Sequence, residues 1–238
     1  MSLRELQEDY EYLGPQKIPQ KSYYTATTPR PQEAKSAASY LFVKRMLDIM
    51  LSIMGILFLT PLFIIIAIWI KVEDPKGSVF FKQNRVGKDE ILFPMYKFRS
   101  MVSNAEELKQ QLMSQNEVEG AMFKMKNDPR VTRVGRLLRK TSIDELPQLW
   151  NVLVGDMSLV GPRPALPNEV SEYTPYEKKR LAVTPGCTGL WQVSGRSNLS
   201  FEQMVELDLT YIRERSIFYD LKIILKTVSV LLGSKDAF

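Results

Sequence analysis

Ile49-Met-Leu-Ser-Ile-Met-Gly-Ile-Leu-Phe-Leu-Thr-Pro-Leu-Phe-Ile-Ile-Ile-Ala-Ile-Trp-Ile70 decides the architecture of this chain. It holds no charge, and at 1.5 Å per residue it is long enough to cross an apolar core of roughly 30 Å. Uncharged runs of this length are rare inside soluble proteins, so a membrane is the expected solvent. Pro61 interrupts it near the middle, where the ring removes a backbone hydrogen bond and clashes with the carbonyl four residues back. Thr60 beside it can bond a freed carbonyl. Both flanks are basic: Lys35, Lys44 and Arg45 before, Lys71, Lys76, Lys82, Arg85 and Lys88 after. Basic flanks stay on the cytoplasmic side. A helix-break-helix over 39–72 that dips into one leaflet and returns satisfies both features; a kinked spanning helix is the alternative.

Working outward, residues 1–38 carry Pro15, Pro19, Pro29 and Pro31 among polar residues without a sustained apolar period. A polar, disordered arm is expected there, with Tyr10, Tyr12, Tyr23 and Tyr24 as docking or modification sites or merely incidental. The first apolar run begins too late for a signal peptide. Beyond the membrane stretch, 73–238 reads as an α/β catalytic domain. Strands are expected over Val79–Gln83 and Ile91–Phe98, joined by the basic turn Arg85–Lys88. A polar helix follows from Ala105 to about Val118, then a basic helix over Val131–Lys140, suited to a membrane surface. Leu149–Val154 and Phe201–Arg215 read as helices, and Asp220 to about Leu232 as an interfacial or core segment.

The composition excludes several chemistries. The chain has no histidine and one cysteine, Cys187. Histidine triads, HExxH zinc sites, thiolate cages and dithiol redox chemistry all fall away. Lys plus Arg number 32 against 27 Asp plus Glu, a net charge of +5 that suits anionic lipid, a phosphate-bearing substrate or nucleic acid. Catalysis must use carboxylates, Lys, Arg, Tyr, Ser/Thr or an oxygen-held metal. The adjacent acids Asp144 and Glu145 are the best candidates, with Arg139 and Lys140 just upstream. Ser142 with Glu145 also fits a capping box, which would make the acids simple helix-dipole partners. In the functional reading, a helix N-terminus keeps Asp144 ionised and holds a phosphate. Pro162 and Pro164 bracket Arg163 and stiffen its loop into a candidate phosphate clamp. Pro185-Gly186 and Gly189 mark another loop.

In order, the chain carries Lys44-Arg-x-x-Asp48, Gln83-x-Arg-Val-Gly87, Tyr96-Lys-Phe-Arg-Ser-Met101 and Asp128-Pro-Arg130. There follow Arg139-Lys-Thr-Ser-x-Asp-Glu-Leu-Pro-Gln148, Gly155-Asp-Met-Ser-x-Val-Gly-Pro-Arg-Pro164, and Pro185-Gly186 with Gly189 and Gln192. Over roughly residues 40 to 233 this resembles the bacterial sugar transferase family, the monotopic phosphoglycosyl transferases. The resemblance implies transfer of a sugar 1-phosphate from a UDP-sugar to undecaprenyl phosphate at the cytoplasmic face of the bacterial inner membrane. UMP is released, and exopolysaccharide or capsule assembly begins. It implies that Asp144 attacks the sugar-bearing phosphate and becomes a covalent ester. Glu145 would assist the lipid phosphate's attack, and both acids would lie by a Mg²⁺ ion. Arg139, Arg163 and Lys97 would surround the phosphates, and Thr60-Pro61 would be the break in a re-entrant helix. Longer members carry a multi-helix region ahead of the catalytic part, so a short form is expected. Cys187 stands where an aliphatic residue is usual. A homodimer and contacts with polysaccharide-assembly proteins are compatible with the resemblance. A catalytically silent scaffold and a glycosyltransferase releasing UDP are the competing functions; nucleic-acid binding has only the basic charge behind it.

Overall fold

The computed structural model describes residues 31–112, 125, 128–195 and 199–233. The arm's four tyrosines and the end of the polar helix lie outside the described residues. The apolar stretch forms one helix, α1 (Pro31–Glu73, 43 residues), of which Ala38–Glu73 is apolar and long enough to cross a membrane. Only 11% of its most apolar part is buried against the rest of the protein. Phe42, Met54, Leu57, Phe58, Ile65 and Val72 point outward. A soluble core helix would hide such side chains; these need lipid.

The sequence suggested a helix-break-helix over 39–72; instead helical backbone continues through Pro61, with no unwound break between two helices. The Thr60 hydroxyl does donate to a carbonyl, but to Ile56 O at 2.7 Å rather than to the Leu57 carbonyl that Pro61 leaves free. The inward stripe of α1 packs on the remaining chain. Ile66 and Ile70 join Phe98 and Leu138 in a buried cluster, with Val134 and Ile143 at its edge.

Strands β1 (Phe80–Val86) and β2 (Leu92–Phe98) pair antiparallel, Arg85 opposite Phe93 and Phe81 opposite Lys97. Arg85 therefore belongs to the strand and not to the turn: the ladder runs on to Val86, and the turn is a 3-10 segment over Lys88–Glu90. After α2 (Ala105–Leu112) comes α3 (Arg133–Lys140), started by Thr132, whose hydroxyl accepts from Gly135 N. A 3-10 turn, Ile143–Glu145, leads to α4 (Gln148–Val154), closed by Gly155 at φ 102°.

The three-residue strands β3 (Ser158–Val160) and β4 (Gly186–Thr188) pair in parallel. Between them lie α5 (Pro167–Ser171) and a 3-10 segment, Glu177–Ala182. Helices α6 (Leu190–Ser194), α7 (Phe201–Glu214) and α8 (Ile217–Gly233) complete the described chain. The fold mixes helices and strands as expected, but its sheets have two strands each among the described residues, and helices dominate. Val160, Leu190, Val193, Tyr211 and Ile223 form the core at this end.

Candidate active site at the Asp144–Glu145 turn

The expected capping box does not form. Ser142 adopts a left-handed conformation (φ 55°) and its side chain makes no capping bond; Glu145 N bonds the Ser142 carbonyl at 3.3 Å. The acids occupy a single 3-10 turn, so no α-helix N-terminus stands behind Asp144. Ser142 instead reverses the chain after α3. That lets Ile143 plug into the Ile66–Phe98–Leu138 cluster and sets Asp144 beside it, 8% exposed.

The two acids meet different surroundings. Lys97, from β2, places its Nζ 2.6 Å from Glu145 Oε1. Burial opposes charge on Glu145, but Lys97, then Arg163 and Arg85, outweigh it and hold its carboxyl below the usual range. Asp144 goes the other way: burial raises its pKa and Glu145 adds to the rise, against the pull of Lys97 and Arg139. Adjacent residues are thus split into a firmly ionised acid and a more basic carboxylate.

Each cation arrives on a different element. Arg139, in the last turn of α3, donates from Nε to Ser100 Oγ at 2.9 Å. Burial lowers its pKa, partly offset by Asp144 and Asp128. Arg163 sits exposed on the loop after β3. Backbone bonds pin that loop: Gly161 N to Thr188 O at 2.9 Å, Gly186 N to Pro162 O at 2.8 Å, and Val86 N to Ala165 O at 2.9 Å. Gly161 is required for the close approach, since a Cβ there would stand 2.6 Å from the Thr184 carbonyl. All five polar residues expected at the site converge. Thr60 and Pro61 lie exposed on α1, outside the polar contacts described around the dyad.

Arg85 was missed as a site residue. Its Nη1 donates to Pro164 O at 3.2 Å and its Nη2 to Gln83 Oε1 at 2.8 Å, while Nε is buried with no partner among the described residues. Burial, with Arg163 second, drops its pKa to about 10. Reading β1 through to Val86 would have found it, because strand alternation places Arg85 on the same face of the hairpin as Lys97. Arg85, Glu145, Gln148, Arg163, Cys187 and Gln192 line a narrow cleft of about 10 Å³, room for roughly one water. Burial pushes the Cys187 thiol far up, so it is an inert wall and no nucleophile.

Among the described residues no group of three or more His, Cys, Asp or Glu side chains is placed to share a cation. Two adjacent carboxylates nevertheless suit Mg²⁺, which takes one or two protein carboxylates and fills its remaining positions with phosphate oxygens and water.

A buried carboxylate ringed by cations could serve many folds; kinship narrows the choice. The model of the bacterial sugar transferase family matches residues 39–234. The chain belongs to the bacterial sugar transferase family. Among its relatives, the galactosyl transferase CpsE of Streptococcus agalactiae serotype III is 49% identical over 82% of this chain and 43% of its own. The undecaprenyl-phosphate galactose phosphotransferase of Salmonella typhimurium is 44% identical over 88% of this chain and 44% of its own. A UDP-N-acetylgalactosamine-undecaprenyl-phosphate N-acetylgalactosaminephosphotransferase of Aeromonas hydrophila is 41% identical over 81% and 44%. The chain thus spans less than half the length of these relatives.

Proposed function

We propose that this chain transfers a sugar 1-phosphate from a UDP-sugar to undecaprenyl phosphate, releases UMP, and so primes an exopolysaccharide or capsule repeat unit. The observation that carries the proposal is the split dyad: Asp144 buried and raised in basicity, Glu145 locked to Lys97 at 2.6 Å. A carboxylate made more basic by burial, with Lys97 and Arg139 opposing that rise, is suited to attack phosphorus. An Asp144 oxygen bonds to the sugar-bearing phosphorus, and the bond from that phosphorus to the oxygen bridging to UMP breaks. The bridging oxygen leaves with UMP. A phosphate oxygen of the lipid then attacks the same phosphorus and Asp144 leaves as a carboxylate, giving the sugar diphospholipid. Arg163 and Arg139 neutralise the diphosphate, and Glu145 orients the incoming lipid phosphate. Asp144 and Glu145 would hold Mg²⁺, which when bound supplies Lewis-acid neutralisation of the diphosphate oxygens.

The names of the relatives support the donor and acceptor classes, and because they differ in the sugar they leave it open. We further propose that α1 is re-entrant at the cytoplasmic face of the bacterial inner membrane. Arg45 and Glu73 of α1 both bond the catalytic domain, yet they are roughly 42 Å apart along a straight helix. A spanning helix would send them to opposite sides of the bilayer; a dip of the helix returns both to one side. Exposed Leu137, Trp150, Phe218 and Leu225 would lie at that surface.

The test is the nucleotide product. Protein in nanodiscs, given undecaprenyl phosphate, Mg²⁺ and a panel of UDP-sugars, is expected to release UMP with one or a few donors. Release of UDP would replace the reading by sugar transfer, and silence with all donors would favour a scaffold.

A further inference from the structure

The catalytic dyad lies within a continuous segment, α3, the 3-10 turn and α4, residues 133–154. Helix ends carry backbone groups with no partner inside the helix, donors at the N-terminus and carbonyls at the C-terminus. Here the two outer ends of the segment are satisfied by two residues of one other element, α1. Glu73 accepts from Arg133 N at 2.7 Å through one carboxylate oxygen and from Val134 N at 3.0 Å through the other, closing the start of α3. Arg45 donates from Nη1 to Val152 O at 2.6 Å and from Nη2 to Leu153 O at 2.7 Å, closing the end of α4. Each charge has the sign that its helix end favours.

The middle of the segment rests on the same helix. Leu138 and Ile143 pack with Ile66 and Ile70. Gly55 leaves the space that Leu149 fills, since a Cβ at Gly55 would stand 3.1 Å from Leu149 Cδ1. Pro61 lies between Arg45 and Glu73, at the one point of α1 where a proline has removed a backbone hydrogen bond. Bending at Pro61 therefore changes the spacing of the two capping residues, and with it the shape of the segment that holds Asp144.

We infer that Arg45 and Glu73 are positioning residues that clamp the catalytic segment at both ends, so that the seating of α1 in the bilayer sets the geometry of the Asp144–Glu145 turn. This rests on the transferase reading above. It makes the reaction sensitive to bilayer thickness, because a thinner leaflet leaves less depth for the dip and a membrane helix adjusts to the depth available by tilting or bending.

The full chain would be placed in nanodiscs of short-, medium- and long-chain phosphatidylcholine. The rate of the first UMP release and the KM for the UDP-sugar would be measured in each. For the wild type the rate should vary with chain length at nearly constant KM. Arg45→Gln and Glu73→Gln should each slow UMP release about a hundredfold, the cost of a 1 Å misplacement, with KM unchanged and the thickness dependence flattened. Arg45→Lys, which keeps a charged donor, should recover much of the rate. Variants that keep the wild-type thickness profile, or that lose thermal stability alone, would overturn the clamp. A wild-type protein that turns over equally in all three bilayers would overturn it without any variant. A wild-type protein that releases no UMP would sink the transferase reading instead.

Discussion

Two acid–base pairs in this molecule look alike and do different work. Arg180 and Asp208 form an ion pair between the Glu177–Ala182 segment and α7, with Asp208 fully buried and Arg180 at 6% exposure. Arg180 lies within 6 Å of the Tyr173 and Phe201 rings and bonds the Tyr173 hydroxyl. Burial lifts Asp208 to about 6, against the pull of Arg180. Lys97 and Glu145 form the second pair, but Arg85 and Arg163 also act on that one carboxylate, and a narrow cleft adjoins it. The first pair is closed, one cation to one anion. The second has cations in excess, facing a cleft. A perturbed pKa alone would have nominated Asp208; surplus positive charge beside a cleft is what favours the Asp144–Glu145 turn as the candidate site.

That contrast can be broken at several points. Asp144→Asn carries the largest expected effect, a loss of UMP release of about four orders of magnitude or more, as when a nucleophile is removed. The same variant should melt higher. A carboxyl whose folded pKa is raised contributes stability below its unfolded pKa and loses it as pH rises through the folded value. Above the folded pKa the charge on Asp144 is therefore a burden that Asn lifts. A lower melting temperature for Asp144→Asn would contradict the environment described for it.

Asp208→Ala should do the opposite. It leaves the Arg180 guanidinium buried without its partner, which costs about 3–5 kcal/mol of stability. Activity per folded molecule should persist, checked by chemical denaturation alongside active-site titration. If it abolished turnover in fully folded protein, the division between the two pairs would fail.

The smallest effect sharpens the pair at the site. Lys97 restrains the rise of the Asp144 pKa. In Lys97→Gln the acid limb of kcat/KM, set by ionisation of Asp144, should move to higher pH. An unmoved limb in a slower enzyme would mean that Lys97 acts on substrate alone.

Much of this was legible from residue order. The uncharged run Ile49–Ile70 needs no tertiary context to declare a helix in lipid, and β2 and α4 follow from short apolar runs bounded by turns. The family motifs brought Asp144, Glu145, Lys97, Arg139 and Arg163 forward, and the fold assembles them. The features that escaped did so for physical reasons. Ser142 in a left-handed conformation is a tertiary choice: anchoring Ile143 outweighs the local capping preference that Ser-x-x-Glu encodes. β3 and β4 are three residues each and pair across the whole of residues 161–185, so neither has a period to detect. Arg85 was hidden by its basic neighbours, which imitate a solvated turn, although the hairpin ladder carries it into the cleft. The paired anchors Arg45 and Glu73 were invisible for the opposite reason: each looks like an ordinary membrane-flanking charge until its backbone partners are known.

The most direct test of the central claim is the mass of the intact protein after it meets its UDP-sugar in nanodiscs with no lipid acceptor present. A covalent role for Asp144 predicts one sugar phosphate added per molecule, mapped to the peptide holding Asp144, with one equivalent of UMP released. The adduct should discharge when undecaprenyl phosphate is added. UMP that forms only once the acceptor is present, with no adduct on the protein, would contradict it.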